Sequence, residues 1–87
     1  MSKILFTETG FAHYLHWQAQ DKKMLRKINN LLKSIDRDGA LKGEGKPEKL
    51  KYADDEYSRR IDHANRLVYK ISKDTITIMS CKGHYDD

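Results

Sequence analysis

Residues 57–85 read YSRRIDHANRLVYKISKDTITIMSCKGHY. Three segments of this stretch alternate apolar and polar side chains, near Tyr57–Asp62, Arg66–Ser72 and Thr75–Cys81. Such alternation is typical of antiparallel strands that bury one face and leave the other in contact with solvent. The segments are separated by two turn-like dipeptides, Ala64-Asn65 and Lys73-Asp74. The stretch therefore predicts three strands of one sheet.

Strand alternation also divides the side chains of these segments between two faces. The set that we expect in the core comprises Ile61, Leu67, Tyr69, Ile71, Ile76 and Ile78. The set that we expect on the other face comprises Arg60, Asp62, Arg66, Val68, Lys70, Met79 and Cys81. If adjacent strands pair in register, Lys51 joins Arg60 and Arg66 on that second face. It would then present fixed cations, while helices cover the core face.

The residues before this stretch predict one strand and two helices. Lys3–Thr7 contains a short apolar run that fits a first strand, and an amphipathic helix from Glu8 to Gln20 follows it. Its apolar and amide side chains at helical spacing are Phe11, Tyr14, Leu15 and Gln18. The second helix carries the clearest periodic signal: Met24, Ile28, Leu31, Leu32 and Ile35. Asp21 suits its N-cap and Gly39 its end.

These elements predict a single α+β domain over residues 1–87, with two N-terminal helices packed on a small, mainly antiparallel twisted sheet. Residues 39–49 form a glycine-rich, charged loop, and Leu50 is expected to turn inward after it. Loops of that length in so small a domain are usually functional.

Composition narrows the class of partner. The formal net charge is +4, and residues 22–51 contain ten Lys or Arg against four Asp or Glu, which favours an anionic partner such as nucleic acid or an acidic protein. The single cysteine, Cys81, excludes an internal disulfide, fits a reducing cytosol and is interpreted as a buried structural thiol. No signal-peptide or membrane-spanning pattern is present, so we expect a cytoplasmic protein with no membrane partner.

Three residue types in this chain match the chemistry of RNA cleavage. A base removes the proton of the 2′-hydroxyl, a cation stabilises the charged phosphorus centre, and an acid protonates the departing 5′-oxygen. Glu48, Arg66 and His84 could fill these roles without a metal, and Tyr85 could stack on a base or hydrogen-bond a phosphate. Taken singly, however, each of these residues is as easily a surface ion-pair member, a structural arginine or a tail residue. His13 and His16 could share a metal, but no third ligand is evident.

Four motifs together carry a specific resemblance. They are Gly45-Lys46-Pro47-Glu48-Lys49-Leu50-Lys51, Tyr57-Ser58-Arg59-Arg60-Ile61, Arg66-Leu67-Val68-Tyr69 and Cys81-Lys82-Gly83-His84-Tyr85. In this order and spacing they resemble the YoeB toxin family, part of the RelE/ParE superfamily of bacterial toxin–antitoxin systems. The likeness covers nearly the whole chain.

The resemblance implies a RelE-like, microbial-ribonuclease-like fold and cleavage of mRNA in the A site of translating ribosomes, which inhibits translation. Carried over by motif, Glu48 is the general base, Arg66 the catalytic arginine and His84 the general acid, with Tyr85 beside it. Lys51 and Arg60 match supporting basic positions, and Lys46 and Lys49 complete the expected phosphate-binding set. No cofactor is implied.

The implied partners are mRNA, the ribosome and a YefM-like antitoxin that displaces the C-terminal end. Contact with operator DNA is expected only through the antitoxin complex, and a homodimer is also expected. Asp86-Asp87 extend the chain beyond the His-Tyr pair at which family members commonly end.

Two other functions fit parts of the pattern. A ParE-like poison of DNA gyrase would use the same fold but needs no acid–base set, so the joint presence of Glu48, Arg66 and His84 disfavours it. A non-catalytic nucleic-acid-binding or partner module would explain the basic charge alone, and the residues without the resemblance favour that reading.

Overall fold

The computed structural model describes residues 2–51 and 53–83. Its elements are β1 (Lys3–Phe6), α1 (Glu8–Gln20), α2 (Lys22–Asp38), β2 (Glu48–Lys49), β3 (Glu56–Arg60), β4 (Arg66–Ser72) and β5 (Thr75–Ser80). The strands form one sheet in the order β1-β5-β4-β3-β2. β1 runs parallel to β5, and the other neighbouring pairs are antiparallel. The α+β architecture expected from the sequence is confirmed.

Helix α2 supplies one wall of the core. Its buried apolar side chains are those of the predicted stripe: Met24, Ile28, Leu31, Leu32 and Ile35. The Asp21 carboxylate accepts hydrogen bonds from the amides of Lys23 and Met24, which caps the helix start. Gly39, at φ 98°, ends the helix in a conformation that favours glycine. The predicted face and both predicted ends are therefore confirmed.

Helix α1 has the predicted bounds but turns a different face to the sheet. A side chain on Gly10 would collide with a carbonyl of β5, so the helix approaches the sheet through Gly10. That contact brings Tyr14 and Trp17, four and seven residues later, onto the core. Phe11 and Leu15 remain 49% and 44% exposed. The expectation that these two share the apolar face with Tyr14 is wrong, because close approach at Gly10 sets the rotation of the helix.

A β-bulge between β4 and β5 overturns the predicted position of Cys81. Val68 pairs with Ser80 while Tyr69 pairs with Ile78, so Met79 is an extra residue in the ladder. The extra residue reverses the alternation, and Cys81 lies in the core on the helix side instead of on the other face. Its thiol is fully buried, and burial raises its pKa to about 12. The interpretation as a buried thiol is confirmed.

Leu50 and Val68 are buried outside the main core cluster. Leu50 follows β2 and turns inward as predicted, and its amide donates to the Glu56 carbonyl. Val68 lies on the sheet face away from the helices, as strand alternation requires. That face is therefore not fully exposed to solvent, because Val68 is buried on it.

Candidate active site

Strands β2, β3 and β4 bring the predicted catalytic residues of the loop and the sheet together. Glu48 pairs with Ser58, and Arg60 pairs with Arg66. Alternation places all four side chains on the sheet face opposite the helices. We call this surface, defined by Glu48, Ser58, Arg60 and Arg66, the open face. Residues 18 positions apart in sequence thus become neighbours through strand pairing.

An ion pair joins the proposed base and the proposed catalytic arginine. Arg66 Nη1 lies 3.0 Å from Glu48 Oε1 and donates to it, and the same nitrogen lies 3.3 Å from Ser58 Oγ. The Arg66 side chain is only 14% exposed, whereas that of Glu48 is 56% exposed. Within residues 2–51 and 53–83, Nε and Nη2 of Arg66 make no hydrogen bond. Among the described residues, the guanidinium is therefore held at one nitrogen only.

The predicted basic residues do not all reach the open face. Arg60 is exposed and stands directly across from Arg66, a distance of about 5 Å between Cβ atoms in such pairs. Lys49 pairs with Tyr57, which places it on the opposite side of β2 from Glu48. Lys51 lies in the turn after β2, and exposed Lys46 lies in the preceding loop at φ 49°. Two arginines therefore form the fixed positive centre, with the lysines around the loop.

The loop that leads to Glu48 is docked on β3 through Gly45. The Gly45 carbonyl accepts a 2.6 Å hydrogen bond from the Arg60 amide. Gly45 has φ 85°, and a side chain there would lie 3.0 Å from Arg59 Cβ and 2.8 Å from a methyl of Leu31. Only glycine therefore allows the loop to approach the sheet this closely. The docking fixes the path of the chain three residues before Glu48.

Arg59 is the residue that sequence reasoning missed. It is fully buried and donates five hydrogen bonds, one for each N–H of its guanidinium. The acceptors are Tyr69 Oη at 2.9 Å, Ser34 Oγ at 3.0 Å, and the carbonyls of Gly39, Lys42 and Glu44 at 2.7–2.9 Å. Three of them belong to the loop before Glu48. Strand alternation from Ile61 indicates this position, because Arg59 and Ile61 share parity.

A chain of hydrogen bonds connects Arg59 with a carboxylate on helix α2. Ser34 Oγ accepts from Arg59 and donates to Asp38 Oδ2 at 3.0 Å. The pKa of Asp38 is lowered chiefly by a hydrogen bond from Arg37, and also by Ser34 and by the charge of Arg59. Burial raises the pKa of the Tyr69 hydroxyl, which donates to the Ala40 carbonyl. The buried guanidinium is thus fully hydrogen-bonded, and Ser34 links it to the carboxylate of Asp38.

The described chain ends beside Arg66. The amide of Arg66 donates to the Gly83 carbonyl at 3.0 Å, and the Gly83 amide donates to Asn65 Oδ1 at 2.8 Å. Asn65 belongs to a turn in which the Asp62 carboxylate accepts the amides of Ala64 and Asn65. Burial by itself would raise the pKa of Asp62, but the hydrogen bonds outweigh it and the pKa is lowered overall. His84 and Tyr85, the predicted general acid and its neighbour, lie outside the described residues.

No group of three or more His, Cys, Asp or Glu side chains suited to a metal occurs in the described part of the chain. No described helix is long and apolar enough to span a bilayer.

Comparison with known proteins gives consistent matches along almost the full length. Residues 6–85 match the model of the YoeB-like toxin of bacterial type II toxin-antitoxin systems. Toxin YoeB of Streptomyces coelicolor is 45% identical over 84 residues, covering 95% of this chain and 99% of that protein. Toxin YoeB of Escherichia coli K12 is 40% identical with the same coverage.

Solved structures agree with these sequence matches. A YoeB dimer from Staphylococcus aureus superposes with a TM-score of 0.92 at 54% identity, covering 97% of this chain and 98% of the other. A YoeB–YefM complex from the same organism gives 0.88 at 53% identity, covering 98% and 99%. Escherichia coli YafQ, at 14% identity, covers 97% and 94% with a TM-score of 0.76, which shows a shared fold alone. The expected RelE-like fold is confirmed.

Proposed function

This chain belongs to the YoeB-like toxin family of bacterial type II toxin–antitoxin systems, and on that basis we propose that it is an endoribonuclease that cleaves mRNA in the A site of translating ribosomes. The observation that carries the proposal is the 3.0 Å contact between Glu48 and Arg66 on an accessible sheet face. A proton acceptor and a cation suited to phosphate therefore lie close enough together to act on the same phosphodiester group.

The reaction that we propose is an internal transphosphorylation. Glu48 accepts the proton of the 2′-hydroxyl, whose oxygen forms a bond to phosphorus. The bond from phosphorus to the 5′-oxygen breaks, and His84 donates the proton that this oxygen takes up. The products are a 2′,3′-cyclic phosphate and a 5′-hydroxyl. The chemistry needs no outside reactant, since the nucleophile is part of the RNA.

Among residues 2–51 and 53–83, two of the three guanidinium nitrogens of Arg66 make no hydrogen bond, which supports a role of this side chain at the phosphate. A planar donor fork can bind two phosphate oxygens at once. As the phosphate binds there, it competes with Glu48 for Arg66, which frees the carboxylate to act on the 2′-hydroxyl. Preorganised cations of this kind stabilise charge that grows in the transition state. Arg60, paired with Arg66 across the strands, adds a second positive charge on the same surface.

The remaining assignments extend the site beyond the described residues. Histidine is the side-chain type whose reference pKa, about 6.5, suits a general acid at neutral pH, and on this ground we propose His84 for that role. We propose Tyr85 as its neighbour in the site, stacking on a base or bonding a phosphate. Lys46, Lys49 and Lys51 surround the loop and are proposed to contact phosphates farther along the message.

The partners that we propose follow those of the relatives. Solved relatives include a YoeB dimer and YoeB–YefM complexes. We therefore propose a YefM-like antitoxin, a homodimer, and contact with operator DNA only through the antitoxin complex. The proposed location is the cytoplasm, where the ribosomes are.

The test is cleavage of a reporter message by variants of the three proposed catalytic residues. Glu48→Gln keeps an acceptor for Arg66 but cannot take up a proton, so we expect loss of about 10²–10⁴-fold in cleavage. Arg66→Ala and His84→Gln should also lose cleavage, with circular dichroism unchanged. Glu44→Gln, an exposed change in the same loop, is the matched control and should cleave like wild type. Cleavage positions are mapped by primer extension on translated mRNA.

Two outcomes would overturn this function. Normal cleavage by Glu48→Gln would remove the general-base assignment. An intact message accompanied by accumulating DNA breaks would instead support a gyrase poison on the same fold.

A further inference from the structure

Two side chains of helix α1 make hydrogen bonds with the backbone of Cys81, one with its amide and one with its carbonyl. The Cys81 amide donates to His13 Nδ1 at 3.2 Å, and the Cys81 carbonyl accepts from Trp17 Nε1 at 2.8 Å. His13 and Trp17 are four residues apart, one turn of the same helix face. The buried thiol of Cys81 also lies 3.8 Å from the Gly10 carbonyl. Both polar backbone groups of Cys81 are therefore used by side chains of α1.

The next two residues lead from this contact to the open face. Gly83, at φ 93°, has its amide bonded to Asn65 and its carbonyl bonded to the amide of Arg66. Residues 81–83 thus span from α1 to the start of β4, with hydrogen bonds at both ends. The chain reaches position 84 from a point fixed to the backbone of the catalytic arginine.

We propose that His13 and Trp17 are positioning residues, which act on cleavage by holding residues 81–83 so that the chain end delivers its general acid to the phosphate. This inference rests on the proposed function of His84. A proton donor must be held close to its target, and a misplacement of about 1 Å can cost about 10²-fold in rate. Neither His13 nor Trp17 lies on the open face, so the role is exerted through the segment.

The surroundings of His13 favour the form that the contact needs. Nδ1 must be unprotonated to accept the Cys81 amide. Burial, the positive charge of Lys82 and the nearby His16 all lower the pKa of His13. The lowered pKa favours the neutral side chain near pH 7, in which Nδ1 can accept the Cys81 amide.

A substrate that needs no general acid isolates this role. In RNA with sulfur in place of the bridging 5′-oxygen, the leaving thiolate departs without a proton. His13→Ala and Trp17→Phe should cleave the ordinary message about 10²-fold more slowly than wild type. On the sulfur-bridged message, presented on programmed ribosomes, both should return to the wild-type rate. Leu15→Ala, an exposed change on the other side of the same helix, is the control and should match wild type on both messages.

The outcomes separate this inference from the function on which it rests. If His84→Gln recovers on the sulfur-bridged message but the α1 variants do not, the positioning role is wrong and the general acid stands. If His84→Gln does not recover, the general-acid assignment fails, and the positioning role fails with it. Unchanged cleavage of ordinary RNA by His13→Ala also overturns the inference. Should Trp17→Phe not fold, His13→Ala alone decides, because it leaves the Trp17 contact with Cys81 in place.

The only tryptophan of the chain gives a direct second measurement. Because Trp17 binds the Cys81 carbonyl, its fluorescence reports on the contact. His13→Ala should shift the Trp17 emission in the folded protein, whereas Leu15→Ala, on the other side of the helix, should not. Identical emission in wild type and His13→Ala would show that the segment stays in place without His13, against the proposal.

Discussion

Replacing the buried Arg59 by lysine should destabilise the protein strongly. The guanidinium donates five hydrogen bonds within the core and the loop. A lysine has three N–H donors, so at least two of the five acceptors lose their partner. A hydrogen bond to a charged group contributes about 1.5–3 kcal/mol, which gives a loss of about 3 kcal/mol or more. A domain of this size has a total stability of about 4–13 kcal/mol.

The neighbouring residue provides the matched control. Arg60→Lys makes the same chemical change one position along β3, but Arg60 is exposed and its backbone contact to Gly45 is unaffected. We expect Arg60→Lys to change stability by no more than about 0.5 kcal/mol. Urea unfolding, followed by circular dichroism, gives both free energies. Hydrogen exchange adds a local reading, since the Glu44 amide bonds to Ser34 Oγ and should lose protection in Arg59→Lys.

Two results would refute the reasoning on Arg59. Equal stabilities of Arg59→Lys and wild type would show that the five hydrogen bonds contribute little. Equal losses in the Arg59 and Arg60 variants would mean that removing any arginine from β3 is harmful, independent of the buried network.

Three further predictions concern the core and α1. Cys81, with a pKa raised to about 12, should react with an exchangeable disulfide reagent only upon unfolding, and fast labelling of the native protein would contradict its burial. Leu31→Ala should lower the free energy of unfolding in urea by about 2–5 kcal/mol, whereas Leu15→Ala, at an exposed position, should change it by no more than about 0.5 kcal/mol. Equal losses in the two variants would show that α1 packs through Leu15 after all. The pKa of His13 is lowered in the fold, so its contribution to stability is present above its ordinary value of about 6.5 and is lost as pH falls through the folded value. Urea unfolding as a function of pH should show this loss in wild type and not in His13→Gln.

Helix α2 could be predicted almost residue by residue because its signals are local. A five-residue apolar stripe, Asp21 at the start and Gly39 at the end act over a few residues each. Helix α1 could not, since its rotation depends on the contact of Gly10 with β5. Phe11 and Leu15 have the right spacing for a core face, but a distant carbonyl decides otherwise.

The bulge at Met79 was hidden from sequence reasoning for the same physical reason. The Thr7 hydroxyl, at the start of α1, lies 3.2 Å from the Ile78 carbonyl and 3.1 Å from the Met79 carbonyl. Residues more than 70 positions apart therefore meet at the irregularity, and alternation along β5 alone gives the wrong face for Cys81. Arg59 shows the opposite case. Its parity with Ile61 indicated burial, but a charged side chain is rarely buried, and its acceptors lie in a loop whose path sequence does not reveal.

The residues of the candidate site are predictions from motifs, whereas the geometry that joins them could not be predicted from sequence. The motifs identify Glu48 and Arg66, but their contact depends on a two-residue strand pairing with β3. Strand alternation brought Arg60 beside Arg66 correctly. It did not bring Lys51 into the sheet, because the chain leaves β2 at Leu50.

The two sides of the proposed reaction are held with different strength, and this bears on how an antitoxin would inhibit it. The loop before Glu48 is fixed by Arg59, whose five hydrogen bonds cannot be broken without leaving its buried charge unpaired. The chain beyond the buried Cys81 is fixed at Gly83 by two hydrogen bonds to uncharged groups, about 1–3 kcal/mol in all at about 0.5–1.5 each. A partner that binds with a micromolar dissociation constant gains about 8 kcal/mol, enough to offset release of the chain end. Release of the loop would require opening the core as well. An inhibitor that acts by displacement should therefore move the acid side and leave Glu48 and Arg66 in contact.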